Sequence, residues 1–365
     1  RRRAARRMPL DPVLREIIRS SPPAPADLGS ISPQELRRAS DERMLSIYGG
    51  MKEEVGSVAD VAVRGRDGEI HVRLYRPRSI ERPPLVVYYH GGGFVYYSVE
   101  THDNICRRLS TLSGAAVMSV DYRLAPEHKF PAAVHDAYDA VVWAGEAAEE
   151  LGVDPNAIAV AGDSAGGNLA AAVSLMARDA GRGDLIRAQV LIYPVLNMID
   201  MSPSRFEFGE GYMLEERMDR WFVAQYLADP RDATNPYASP LLAEDLRGLP
   251  PALVVTAEYD PLRDQGEIYA HRLRAAGVPA TATRYLGMTH GFIRFYPRLR
   301  AGRDALAQIA GYLSAALRGS GPGAPRAAPS AGPGRAAVGG APTGRDLPGR
   351  PRGPFGPIRP CRFTY

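Results

Sequence analysis

Between about residues 57 and 317 the chain alternates short apolar, β-branched runs with stretches of helical periodicity, and this rhythm leaves few folds open. Strands separated by helices cannot close as hairpins. They form βαβ units, hence an α/β fold with a mostly parallel sheet and helices on both faces. SVADVAVRG and EIHVRLYRP, joined through Arg66-Asp67-Gly68, read as an opening antiparallel hairpin. LVVYYH (85–90), AAVMSVDY (115–122), AIAVAGD (157–163), AQVLIYP (188–194), ALVVTAE (252–258) and ATATRYL (280–286) bring the expected strand count to eight. Helices are expected at about 101–112, 132–150, 165–180, 262–276 and 298–317.

At 365 residues and 45% hydrophobic composition the chain can bury one large core, so a single catalytic domain with appendages is expected, its body spanning 51–197 and 241–317. Residues 8–50 and 198–240 fall outside the rhythm, read as mainly helical, and are expected to pack together as a cap over the sheet's carboxyl edge. Residues 1–7 (RRRAARR) read as upstream sequence ahead of a natural start at Met8. From residue 318 the composition changes: 21 of the 47 residues 319–365 are Gly or Pro, from which no core can be packed, so 318–365 is expected to be a low-complexity, disordered tail.

The formal charge of +4 is misleading about partners. The first seven residues carry +5 and the tail +7, which leaves −8 on the body and gives no basic surface there for nucleic acid. The two cysteines, Cys106 and Cys361, lie in neither a disulfide framework nor a metal-ligand spacing, so no metal is expected. No apolar run approaches the roughly 18 to 20 residues of a membrane helix. A reducing compartment, the cytoplasm, and no membrane association are therefore expected.

The chemistry concentrates where strands end. Gly162-Asp163-Ser164-Ala165-Gly166 follows an apolar run directly and opens an Ala-rich helix, the strand–turn–helix context of a nucleophile elbow. Ser164 is the candidate nucleophile, and a serine hydroxyl needs a neighbouring base. Of seven histidines, His71, His102, His128, His135 and His271 fall in the hairpin, in helical patterns or in a Pro-flanked stretch and read as surface or packing residues. His290, in a loop after the last strand, is the better base; His90 reads as ordering its own loop. TAEYDPLRD offers Glu258, Asp260 and Asp264 as the carboxylate that orients the base. Asp260, just beyond the strand, is preferred over Asp264, which falls in the first turn of the next helix. His90-Gly91-Gly92-Gly93 also follows a strand. Three consecutive glycines suggest close approach to the main chain, and the amides of Gly92 and Gly93 with that of Ala165 are the candidate oxyanion donors, with Gly91 and Asp163 supporting them.

HGGGF, DYRLAPEHKFPAAVHDA, GDSAGGNLAA, YDPLRD and HGF, in this order, resemble a microbial member of the hormone-sensitive-lipase-like family of esterases, within the α/β-hydrolase superfamily. The resemblance spans roughly 8–317, and MPLDPV at Met8 is similar to the start of such proteins. It implies a helical cap over an eight-stranded sheet and cleavage of small-molecule carboxylic esters with short to medium acyl chains, without organic cofactor or metal. It also implies Ser164, Asp260 and His290 as the triad and HGGG (90–93) as the oxyanion loop. Asp121, Tyr122, Arg123, Pro126 and Glu127 match a segment whose role is mainly structural. Family members pair through the last strand, which makes ATATRYL a candidate homodimer edge; the tail is the departure from the pattern. Two other readings keep the same scaffold. A non-catalytic small-molecule receptor of this family lacks the histidine that stands here at 290, and an amidase or lipid hydrolase would use the same triad.

Overall fold

The computed structural model describes residues 7–21 and 31–318, and every structural statement below concerns those residues. Residues 1–6 and the expected tail, save Arg318 at the end of the last helix, lie outside them. One eight-stranded sheet organises the chain: β1 (Ser57–Gly65), β2 (Gly68–Arg76), β3 (Leu85–Tyr89), β4 (Ala116–Asp121), β5 (Ile158–Asp163), β6 (Ala188–Ile192), β7 (Ala252–Tyr259) and β8 (Ala280–Thr289). Its order is β1-β2-β4-β3-β5-β6-β7-β8. β1 and β2 form the antiparallel hairpin, β2 is antiparallel to β4, and from β4 to β8 every pairing is parallel.

Helices α1 (Pro12–Ser20) and α2 (Pro33–Ser46) precede the sheet, and α3 (Asp103–Ser113), α4 (Ala132–Glu146), α5 (Ala165–Asp179), α6 (Pro203–Glu207), α7 (Glu216–Tyr226), α8 (Arg263–Ala275) and α9 (Arg300–Arg318) follow in chain order. Two apolar cores flank the sheet. Alternate residues of β3 enter each: Leu85, Val87 and Tyr89 pack with α4, α5 and α8, while Val86 and Tyr88 pack with α3, α9 and side chains of α1 and α2. Strands β3, β5, β6 and β7 are buried along their whole length, the pattern of strands covered on both faces. β1 and β8, at the edges, are mostly exposed or partly buried, and β8 is fully buried only over its last three residues.

Two expectations need correction. Residues 198–240 are only partly helical: α6, α7 and a 3-10 turn at Pro230–Thr234 are separated by irregular chain. Pro203, Gly209, Gly211 and Pro230 punctuate the segment too closely for long helices. Residues 287–289 are not loop but strand. Ala257 pairs with Tyr285 and Tyr259 with Thr289, so β8 carries extra residues in a bulge. Gly287 turns that bulge at φ +73°. The consequence is positional, because His290 follows Thr289 and Asp260 follows Tyr259 at the ends of paired strands.

Candidate active site

The chain changes direction across the sheet at β3, which has β4 on one side and β5 on the other. In sheets of this kind a crevice opens at the carboxyl ends of the strands beside that point. His90–Gly93 leave β3 there, Ser164 leaves β5, Asp260 leaves β7 and His290 leaves β8. Residues distant in sequence meet there.

Ser164 adopts φ 55°, ψ −116° at the N-cap of α5, a conformation costing about 1 to 3 kcal/mol for a residue with a Cβ. The glycines around it make the turn possible. A Cβ on Gly162 would run into the carbonyl of Gly166, and one on Gly166 into the carbonyl of Tyr89. The Ser164 amide donates to Ile192 O at 2.8 Å, which fixes the turn against β6.

His290 Nε2 lies 2.9 Å from Ser164 Oγ, and His290 Nδ1 lies 2.9 Å from Asp260 Oδ2. Asp260 is fully buried, and its other oxygen accepts from the Leu262 amide at 2.8 Å. With a carboxylate as its acceptor, Nδ1 carries the proton, and Nε2 is left to receive one from the hydroxyl. The other two carboxylates have different work. Asp264 accepts from the Ser204 amide at 2.9 Å and ties α6 to the start of α8. Glu258 accepts from the amides of Gly287 at 2.7 Å and Met8 at 3.3 Å. Tyr193 packs against the His290 ring, with centroids 4.7 Å apart.

Gly92 and Gly93 have φ +118° and +59°. Val95 and Tyr96 donate back to Gly92 O at 3.0 and 3.1 Å, closing the loop into a tight turn. A Cβ on Gly92 would strike the Tyr96 carbonyl, and one on Gly93 would strike the Phe222 ring. Among the described residues, the amides of Gly92, Gly93 and Ala165 have no protein acceptor. Gly91 differs, since its amide donates to Asp163 Oδ1 at 2.9 Å.

Asp163 is the hub beneath this loop. Its Oδ1 also accepts from Tyr88 OH at 2.8 Å and lies 3.3 Å from His102 Nε2. Burial pushes the Asp163 carboxyl up, but His102 and Arg294 pull harder and hold it below the usual carboxylate range. His102, read from the sequence as a packing residue, is therefore a buried partner of the elbow. Nothing in the pattern of α3 could have linked it to residue 163. His90 orders its loop through Nδ1, which donates to Gly91 O at 2.7 Å, and its ring stacks on Tyr122 at 4.4 Å. Burial, with help from His102, pushes the His90 imidazole down to about 3, so it is neutral in the folded protein near pH 7.

Above Ser164 lies a narrow cleft that opens to solvent. Residues 198–240 contribute Met198, Leu214, Asp219, Phe222 and Val223 to its wall. Of Tyr212, Met213, Trp221 and Phe222 in that segment, only Phe222 lines the cleft. Tyr212 stacks on Tyr259, Met213 packs with the core on the α9 side, and Trp221 packs edge-on to Phe222. The described part of 8–50 supports the cleft from elsewhere, through Arg37 donors to Val95 O at 2.7 Å and Ala125 O at 2.8 Å. Arg294, unremarked in the sequence, also lines the wall. Among the described residues no group of histidine, cysteine or acidic side chains could hold a metal ion, and no helix is long and apolar enough to cross a membrane.

A hydroxyl bonded to an imidazole that is itself oriented by a buried carboxylate, beside unpaired amides, is the machinery of nucleophilic acyl transfer. Residues 86–294 match the family described as alpha/beta hydrolase fold. The chain belongs to this family, in its hormone-sensitive-lipase-like branch. Among particular relatives, it is 43% identical to an arylesterase of Saccharolobus solfataricus over 78% of this chain and 93% of that protein. It is 49% identical to the carboxylic ester hydrolase LipN of Mycobacterium tuberculosis over 66% of this chain and 65% of LipN. The solved structure of a hyperthermophilic esterase from Pyrobaculum calidifontis superposes with a TM-score of 0.80 at 52% identity, covering 84% of this chain and 99% of that one.

Proposed function

We propose that the protein is a serine carboxylesterase that hydrolyses carboxylic esters of short to medium acyl chain through an acyl-enzyme. The observation that carries this reading is the unbroken hydrogen-bonded chain Ser164–His290–Asp260 at the floor of the cleft. His290 takes the Ser164 proton as Oγ bonds to the ester carbonyl carbon, while Asp260 holds the tautomer and stabilises the imidazolium. The amides of Gly92, Gly93 and Ala165 receive the negative charge that forms on the carbonyl oxygen. On collapse the alcohol leaves with the proton from His290. Water, activated by the same imidazole, then releases the acid and restores the hydroxyl. In this scheme residues 198–240, with 8–50, act as the cap, and no organic cofactor or metal enters.

Placement in the cytoplasm fits a chain with two cysteines. β8 occupies a sheet edge, which supports pairing of two copies there. The deciding experiment is hydrolysis of a p-nitrophenyl ester series by the parent chain and Ser164→Ala. A loss of roughly a thousandfold or more in kcat is expected. Parent-rate turnover by the variant would remove Ser164 from the mechanism.

A further inference from the structure

The two charged side chains that line the cleft besides the proposed base are balanced differently. Asp219, on α7, is gripped by Arg205 at 2.5 Å. Arg294, on the 3-10 turn Phe292–Phe295 just behind His290, has no carboxylate within ion-pair distance among the described residues. Its Nη1 donates to Tyr97 OH at 2.7 Å, its guanidinium carbon lies 5.3 Å from the Tyr97 ring centroid, and its Nε is buried without an acceptor. Burial works against the charge, but Tyr97, Tyr193 and Asp163 outweigh it and keep the group protonated. Asp163 acts at a distance and is already engaged by Gly91, Tyr88 and His102.

A guanidinium offers five N–H donors in a planar fork matched to a carboxylate. Here one donor is used, in a partly desolvated cleft shared with Ser164 and His290. We propose that Arg294 is a specificity residue that binds a carboxylate on the substrate, so that the preferred esters carry an ionised carboxylate in addition to the scissile bond. Monoesters of short dicarboxylic acids are the simplest members of that class. One positive charge suits one carboxylate, whereas a phosphate would bring a second negative charge into a cleft that already contains Asp219. This proposal rests on the esterase reading. The competing role for Arg294 is to balance buried Asp163, and that role would affect all esters alike.

The test compares monoethyl succinate, glutarate and adipate with ethyl butanoate, pentanoate and hexanoate by proton release at constant pH. A second arm sets 3-butyryloxypropanoate against propyl butanoate, so that the two arms show whether the carboxylate is read on the acyl or the alcohol side. In the parent chain at least one charged ester is expected to exceed its neutral partner in kcat/KM by about tenfold or more, chiefly through KM. Arg294→Met should abolish the ratio, and Arg294→Lys should retain part of it. A parent chain that favours the neutral ester in both arms overturns the proposal, as does an Arg294→Met chain that loses both substrates by the same factor. Should the variants fail to fold, the parent ratio and its decline with added salt decide the matter alone. If no ester is cleaved, or if Ser164→Ala cleaves them at the parent rate, the esterase reading itself has failed and this assignment falls with it.

Discussion

His102 Nε2 and Asp163 Oδ1 lie 3.3 Å apart, both almost wholly buried, directly beneath the loop that presents Gly92 and Gly93. Asp163 passes this constraint to the loop through the Gly91 amide. Removing the His102 ring takes one hydrogen-bond partner away from a buried carboxylate, which costs about 1 to 3 kcal/mol. His102→Ala is therefore expected to lower stability by an amount of that order in denaturant titration. The surviving folded enzyme should lose roughly tenfold in kcat with little change in KM, because the loop amides are displaced while the cleft wall is kept. An unchanged midpoint and unchanged kcat would refute the connection.

Gly92 and Gly93 separate two reasons for a glycine. At 93 the obstacle is the Phe222 ring, a side chain that can be trimmed; at 92 it is the Tyr96 carbonyl, which cannot. Gly93→Ala and Gly92→Ala should both depress kcat/KM. Adding Phe222→Ala is expected to restore part of the loss at 93, leaving only the cost of positive φ, about 1 kcal/mol, and to restore nothing at 92. Steady-state kinetics of the two singles and two doubles measure this. Equal rescue at both positions would contradict the geometry.

His90 gives the fold a dependence on acid. Its folded pKa is about 3 against an ordinary value of 6.5, so the unfolded chain binds the proton more readily. Stability rises with pH wherever the unfolded state holds more protons. The contribution is complete above about 6.5 and is lost as pH falls toward 3, at no more than about 1.4 kcal/mol per pH unit. The lowered pKa of Asp163 acts in the same direction, but its loss begins only below the ordinary carboxylate value of 3.8. Chemical denaturation at pH 7 and pH 5 should therefore show a drop in the parent chain that is smaller in His90→Gln.

The rhythm of apolar runs was enough to read the eight strands and five of the helices from the amino acids, because strands buried on both faces and their crossover helices leave periodic marks. Ser164 was legible because the elbow needs glycines on both sides for steric reasons that do not depend on context. The bulge at Gly287 was not, since pairing register is decided by β7 as much as by β8. Neither His102 nor Arg294 could be read: one acts through a carboxylate at the end of β5, and the other stands out because no carboxylate pairs with it among the described residues. The irregularity of 198–240 shows how tertiary packing onto α8, through Ser204 and Asp264, holds short helices that propensity alone would not define.

Arg205 and Asp219 test how the cleft wall is built. They join α6 to α7 at 2.5 Å, both are nearly fully buried, and Glu216 adds a second carboxylate 3.3 Å from Arg205. Burial pushes the Asp219 carboxyl up, and Arg205 is the main group that opposes that push, with a smaller contribution from His290. With Arg205→Met, Asp219 faces the cleft and His290 without its counter-ion, so it must either take up a proton or destabilise the wall. The expected loss is about 3 kcal/mol for Arg205→Met and for Asp219→Leu, and distinctly less than the sum for the double variant. The cycle also has a catalytic readout: KM for a neutral ester should rise in each single variant as Phe222 and Leu214 lose their support, and recover in the double. Additive losses in stability would mean that the two side chains act independently, and that α7 is held over the cleft by its apolar face alone.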